Sequence, residues 1–196
     1  MTGVDDLARV IGERIRQERL ARRWTLDQLA AAAGVSRRLI VTLEQGAANP
    51  SVGTLLRLSE ALGVGLPALV EPPSNGAVKV TRRGEGAVLW TGAAGGRGVL
   101  VAGTESPDVV ELWDWTLGPA ERHVSEAHAA GTRELLQVIE GGLVVEVDDD
   151  VHVLATGDAI TFPGDLQHAY ANPGDAVVRF GLAVFEPGVG SSAGEP

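Results

Sequence analysis

The sequence predicts an α+β chain of two domains: an all-α five-helix bundle over residues 1–70 and an all-β barrel or sandwich over residues 77–187. Two changes along the 196 residues carry that prediction. Up to Val70 apolar residues recur at helical spacing, and beyond Ala77 short β-rich runs alternate with Gly, Pro and Asp. Between them Glu71-Pro72-Pro73-Ser74-Asn75-Gly76 reads as a linker, stiff and then flexible.

The helices follow in order. Residues 5–23 place Leu7, Val10, Ile11, Ile15 and Leu20 near one face, with acids first and arginines last, as the helix dipole favours. Residues 25–46 (TLDQLAAAAGVSRRLIVTLEQG) then hold two short apolar sets around Gly34-Val35-Ser36. The first set is Leu26, Leu29, Ala30 and Ala33, and the second is Leu39, Ile40 and Leu43. Thr25 and Ser36 suit the N-caps of two helices, and Gly34 suits the corner between them. This pattern is a helix-turn-helix, and its second helix opens Ser-Arg-Arg at the end such a unit presents to the DNA major groove. Residues 52–62, capped by Ser51, and a closing turn with Leu66, Leu69 and Val70 complete the bundle.

In the second half the expected strands are VKVTRR, AVLW, GVLVAG, VVELWDWTL, LLQVIEG, LVVEV, VHVLATG, AITFP, HAYAN and AVVRFGLAVF. Gly92 to Gly98 (GAAGGRG) reads as a mobile hairpin or loop, and residues 188–196 as a disordered tail.

Net charge is −10, an odd balance for a DNA binder until it is divided. Residues 1–70 carry nine arginines against seven acids, and residues 71–196 carry seven cations against nineteen acids. A mildly basic first segment holds phosphates locally, while the acidic remainder is repelled by DNA and points away from it. No cysteine is present, so disulfides, thiolate metal sites and thiol nucleophiles are excluded. No apolar run reaches the ~20 residues of a membrane span, and the first residues lack a signal-peptide layout. The expected setting is the cytoplasm, with the chain on the nucleoid when bound to DNA and no membrane partner.

From Ile11 to Val70 the chain resembles the Xre-type helix-turn-helix family, to which the lambdoid phage repressors belong. The resemblance is carried by Arg16, Arg19, Leu29-Ala30, Gly34-Val35-Ser36, Leu43-Glu44, Gly46, Asn49-Pro50 and Ala61-Leu62-Gly63. It implies that Ser36, Arg37, Arg38 and Thr42 face the groove with Val41 beside them, and that Thr25 and Gln28 hold phosphates, as does the backbone near Asn49. Arginine grips guanine O6 and N7 together, so Arg37 or Arg38 is expected to read a G in each half-site. A single module makes few contacts; the expected partner is therefore double-stranded DNA with a two-fold operator, bound by a homodimer whose half-site centres lie about 34 Å apart or a multiple of that.

The second half resembles the small cupin domains, which are double-stranded β-helices of jelly-roll form. Glu126-Ala127-His128, Gly131, Glu134 and Gly141 follow the first cupin motif, and Gly157, Pro163, His168 and Asn172 the second. Glu126 stands where the motif has its leading His, and Asp165 where it has a Gly, with Gly164 one place earlier. The resemblance implies one divalent metal (Mn, Fe, Ni or Zn) held by Glu126, His128, Glu134 and His168. The alternative is a barrel whose metal site has decayed and which binds an organic effector alone.

Glu111, Trp113 and Trp115 alternate along one strand and share a face. Either that face lines an effector pocket, with Tyr170 as a further wall residue, or it packs at an interface. His123 and His152 lie outside the motifs and read as surface residues.

Three functions are compatible with these features. The first is a transcription regulator, with repression the expected sign, whose barrel binds a small-molecule effector and modulates operator binding. The second is a metal-dependent cupin enzyme, an oxygenase or isomerase, fused to a DNA-binding module. The third is an inert barrel serving as a dimerisation block. The first is expected, because the chain offers no catalytic base beyond the four candidate ligands.

Overall fold

The computed structural model describes residues 3–70 and 78–191, with the side chains of residues 3–5 left aside. The linker at residues 71–76 and the last five residues of the expected tail lie outside them. The chain divides into two compact units, one built on residues 1–80 and the other on residues 81–104 and 108–187.

The first unit has five helices: α1 (Gly3–Ala21), α2 (Leu26–Ala32), α3 (Arg37–Glu44), α4 (Val52–Leu62) and α5 (Leu66–Val70). The starts of α2, α3 and α4 are set by the caps read in the sequence. The Thr25 hydroxyl accepts from the Gln28 N–H, and the Gln28 side chain accepts in return from the Thr25 N–H. Ser36 and Ser51 accept from the Leu39 and Thr54 N–H groups. Gly34, at φ 62°, turns the corner in the left-handed region that glycine enters without strain.

Ile11, Ile15, Leu29, Ile40, Leu43, Leu55, Leu58, Leu62, Leu66 and Leu69 are almost wholly buried and form the core. Burying one such side chain contributes roughly 1.5–3 kcal/mol. Leu20 departs from the helical-face expectation: it is half exposed, and its neighbour Arg19 turns inward instead. The reason is a partner, since Glu44 at the end of α3 meets Arg19 with both carboxylate oxygens. Gly12 marks the closest approach of α1 to α3, because a Cβ there would lie 2.1 Å from the Leu43 carbonyl oxygen.

The second unit is all β: β1 (Ala87–Thr91), β2 (Arg97–Gly103), β3 (Val109–Leu117), β4 (Arg122–Ser125), β5 (Arg133–Glu140), β6 (Gly142–Val147), β7 (Asp150–Ala155), β8 (Ala159–Pro163), β9 (His168–Ala171) and β10 (Val178–Glu186). They form a six-stranded sheet, β1-β2-β3-β10-β5-β8, and a four-stranded sheet, β4-β9-β6-β7. Every pairing is antiparallel. β3 and β10 bury every second residue along their whole length, which aims Glu111, Trp113, Trp115, Phe180, Leu182 and Val184 into the barrel.

Three local expectations change, and one is sharpened. VKVTRR is not a strand: its six residues stay exposed or half-buried and belong to neither sheet. Arg122–Ser125, too polar to read as a strand, is β4, and it pairs with β9 through His123 opposite Tyr170. Gly92 to Gly98 is a hairpin, as expected, carrying the turn from β1 into β2. Glu121 accepts from the Ala94 and Gly118 N–H groups, its side chain occupies the space a Cβ on Gly92 or Gly96 would take, and Arg97 and Gly98 belong to β2. At the start of the expected tail, residues 187–190 form a turn, with the Ser191 N–H donating to the Gly188 carbonyl.

Candidate nucleic-acid interface and barrel site

The helical unit presents the N-terminus of α3 to solvent, with Ser36, Arg37 and Arg38 exposed and Val41 and Thr42 half-buried on the following turn. Ile40 and Leu43, on the opposite side, are buried and fix the orientation of the helix. The Arg37 guanidinium lies 3.4 Å from the Asp27 carboxylate, with both groups largely exposed. Such an exposed pair contributes little to stability. Thr25 and Gln28 are exposed at the start of α2 but bond each other through the Gln28 side-chain oxygen and the Thr25 hydroxyl. Thr42 is restrained differently, its hydroxyl donating back to the Arg38 carbonyl, so its methyl is the freer contact surface.

In the barrel, three ligand-type side chains converge from different elements. Glu134 comes from β5, His168 from β9 on the facing sheet, and His128 from the loop between β4 and β5. Glu134 Oε1 lies 2.9 Å from His128 Nε2 and 3.1 Å from His168 Nε2. These contacts lack hydrogen-bond alignment, and Glu134 Oε1, His168 Nε2 and His128 Nδ1 are buried with no hydrogen-bond partner. The outer atoms are secured: His168 Nδ1 meets the Leu166 carbonyl at 2.8 Å, and the Tyr170 hydroxyl donates to Glu134 Oε2.

Backbone bonds also hold the loop. The His128 N–H donates to the Gly164 carbonyl and the Gly164 N–H to the Thr132 carbonyl. A Cβ on Gly164 would press on Thr132, Glu134 and His128. Asp165 accepts from the Gly131 N–H, so this departure from the cupin pattern staples the same loop.

Electrostatics follow from this packing. Burial pushes the Glu134 carboxyl upward, but His128 and His168 outweigh it and hold it at about 2. Burial pulls His168 down, and Glu134 more than reverses that, raising it. Burial and Glu134 together lift Tyr170 well above the usual phenol range. Glu111 behaves oppositely to Glu134: burial and the neighbouring Glu186 push it to about 8, with Trp113 opposing.

Trp113, Trp115 and Tyr170 are buried within the barrel, and so is Glu111. Trp115 is the hub, with ring centroids 5.5 Å from Trp90, 5.8 Å from Trp113, 6.0 Å from Tyr170 and 5.9 Å from Phe180. Its indole lies over Gly98, the cross-strand neighbour whose missing side chain leaves the room. His123 is a correction to the surface reading. Its ring sits 4.7 Å from that of Trp115, and burial lowers it to about 4. Only its alternation in a strand shared with Ser125 could have signalled this, and β4 was not legible as a strand. His152 is exposed, as expected.

A helix-turn-helix family model matches residues 15–69, and a cupin domain family model matches residues 113–185. The chain is 34% identical over 67 residues to the uncharacterized HTH-type transcriptional regulator y4dJ of Sinorhizobium fredii, covering 34% of this chain and 87% of that one. The chain belongs to the helix-turn-helix transcriptional regulators with a C-terminal cupin domain. Over 186 residues this regulator is also 27% identical to the HTH-type transcriptional regulator SutR of Escherichia coli, covering 94% of this chain and 99% of that one. A crystal structure of an HTH_3 family transcriptional regulator from Vibrio cholerae shares the fold, with a TM-score of 0.74 at 24% identity over 94% of this chain and 99% of that one. The function of the regulator is therefore DNA binding in transcription control. None of its described helices is long and apolar enough to cross a membrane.

The cupin motif residues of the regulator divide into two groups. His128, Glu134 and His168 bring one ligand atom each within 4.8 Å of one another. Glu126 is exposed on the approach to His128 and does not join that group. Asn172 is a structural brace, donating to the Leu117, Gly118 and Ala176 carbonyls and accepting from the Gly174 N–H.

The converging set fits a divalent metal. It offers two imidazole nitrogens and a carboxylate oxygen, suited to Mn, Fe, Ni or Zn. The Leu166 carbonyl fixes the His168 tautomer with Nε2 available, and Tyr170 orients the carboxylate. His168 also lines a cleft of about 420 Å³ with Arg122, Val124, Glu146, Asp148 and Gln167.

Proposed function

We propose that this regulator is an effector-responsive repressor. A homodimer reads a two-fold operator in the cytoplasm through α3, with Arg37 or Arg38 gripping guanine and Ser36, Val41 and Thr42 alongside. The cupin barrel serves as a sensor and not as an enzyme. It takes a small molecule against Trp113, Trp115 and Tyr170, with a divalent metal on His128, Glu134 and His168. Glu126 is left outside that ligand set.

One observation supports this reading above the others. The same chain carries an exposed Ser36-Arg37-Arg38 helix start and a barrel in which His128, Glu134 and His168 converge, with Glu134 Oε1 and His168 Nε2 buried and without an aligned hydrogen bond. Unpartnered buried polar atoms are costly, and a bound group offsets that cost. An effector changes operator affinity only by binding the two conformations of the dimer unequally.

The test is an operator selected from random DNA with the full chain, followed by gel shifts. The double variant Arg37→Ala/Arg38→Ala is expected to lose sequence preference while keeping weak salt-dependent binding. A metabolite screen by thermal shift on the same protein then identifies hits, each of which is expected to alter operator affinity. Unchanged sequence preference in the double variant overturns the assigned reading helix, and hits that leave operator affinity unaltered overturn the sensor role.

A further inference from the structure

The buried charge of the barrel is one-sided. Among the described residues, its buried ionisable side chains are Glu111, Glu121, Glu134, Glu186, His168 and Tyr170, with no Lys or Arg. Glu121 shows how this protein compensates a buried carboxylate, each oxygen accepting a backbone N–H. Glu134 has His128 and His168 against it. Glu111 has no such cation: Oε2 accepts from the Trp113 indole at 2.9 Å, and Oε1 has no hydrogen-bond partner although the residue is 1% exposed. Nearby Glu186 adds repulsion.

The sheet register places these groups together. Glu111 and Glu134 both pair with Val184, so they share one row on the inner face, two strands apart. Trp113 and Trp115 follow Glu111 on that face, and Trp115 Nε1 is a second buried polar atom with no partner.

We infer that the Glu111 end of the barrel is an organic-ammonium site, in which a protonated amine sits on the Glu111 carboxylate beside Glu186 and against the indole faces of Trp113 and Trp115. This deepens the sensor reading above and rests on it for any regulatory consequence. An ammonium suits this end because it lets Glu111 give up the proton that burial and Glu186 otherwise hold on it, whereas an anion or a neutral apolar ligand leaves Oε1 without a partner. An ammonium fits better than a second metal. Hard divalent cations take six or more oxygens, whereas an ammonium is held by few acceptors together with aromatic faces. The Trp115 N–H is left for an acceptor on the body of the ligand. Burial holds Glu111 at about 8 without a ligand, and a bound ammonium favours its charged form.

The full-length protein is titrated with phenethylammonium and tetramethylammonium, and with the near-isosteric 2-phenylethanol and 3-phenylpropionate, by tryptophan fluorescence and calorimetry. Saturable binding by at least one ammonium is expected, with the alcohol and the carboxylate at least tenfold weaker. Glu111→Gln is expected to weaken the ammonium at least tenfold, while His152→Ala leaves it unchanged. Should Glu111→Gln fail to fold, Glu186→Gln is read instead, and the comparison of amine with alcohol needs no variant.

The inference is overturned by absence of saturable binding for both ammonium probes, by equal binding of the alcohol, or by indifference to Glu111→Gln. Displacement of the amine by saturating Zn²⁺ overturns it too, since the cation site is then the metal's. Operator affinity is measured separately. Amine binding with no change there sinks the regulatory reading and leaves the site standing.

Discussion

Arg19 and Glu44 form a two-pronged ion pair across the helical unit, Nε to Oε1 at 2.6 Å and Nη2 to Oε2 at 2.8 Å, with both side chains nearly buried. The third guanidinium nitrogen donates to the Trp24 carbonyl. One side chain of α1 therefore fixes both the end of the recognition helix and the turn entering α2. Removing either partner strands the other in a poorly solvated position, which costs about 3 kcal/mol or more. Arg19→Ala and Glu44→Ala are each expected to lower the melting temperature by several degrees and to weaken operator binding, read by thermal denaturation and gel shift. If the pair is the cause, the double variant loses less than the two singles together.

Gly12 is the second control on that geometry. Its missing side chain admits the Leu43 carbonyl, and a methyl group at 2.1 Å from that oxygen forces α1 and α3 apart. Gly12→Ala, usually stabilising inside a helix, is expected to destabilise here by about 2 kcal/mol or more. Chemical denaturation would show it as a lower midpoint. An unchanged midpoint excludes the close contact.

A pH effect follows from Glu111. Its carboxyl, raised to about 8 by burial and Glu186, keeps its proton in the folded chain over the range in which the unfolded chain has already lost it. The unfolded state thus binds fewer protons between the ordinary carboxylate range and pH 8, and stability from this group falls as pH rises through that window. Glu111→Gln removes the dependence. In ligand-free protein the variant is expected to melt several degrees higher than wild type at pH 8 and about level with it near pH 4, where both forms are uncharged.

Metal on the barrel triad is measured by thermal shift. At a concentration one hundred times its dissociation constant, a ligand specific to the folded state contributes about 2.7 kcal/mol. Mn²⁺ or Zn²⁺ is expected to raise the melting temperature of the wild type, and His168→Ala and His128→Ala to abolish the rise. Glu126→Ala is expected to retain it, because that side chain stands outside the converging three. Loss of the rise in Glu126→Ala would restore the four-ligand set read from the motif.

Much of the helical unit was legible because its determinants are local. The caps Thr25, Ser36 and Ser51 and the corner at Gly34 each act within four residues, so the sequence pattern states them directly. Leu20 was misread for the converse reason: the partner that draws Arg19 inward is twenty-five residues away. In the barrel, alternation along β3 placed Glu111, Trp113 and Trp115 on one face, but which face is inner depends on β10 and the opposite sheet.

The sequence by itself determined the two-domain division and the helix-turn-helix, since these rest on spacing and residue type, and its resemblance to the cupin domains singled out Glu126, His128, Glu134 and His168. Tertiary structure alone decided that His128, Glu134 and His168 converge, that His123 joins the aromatic cluster, and that Glu111 is buried beside Glu186 without a cation. Burial and partnership are properties of strands brought together from distant positions, and no local pattern of residues contains them.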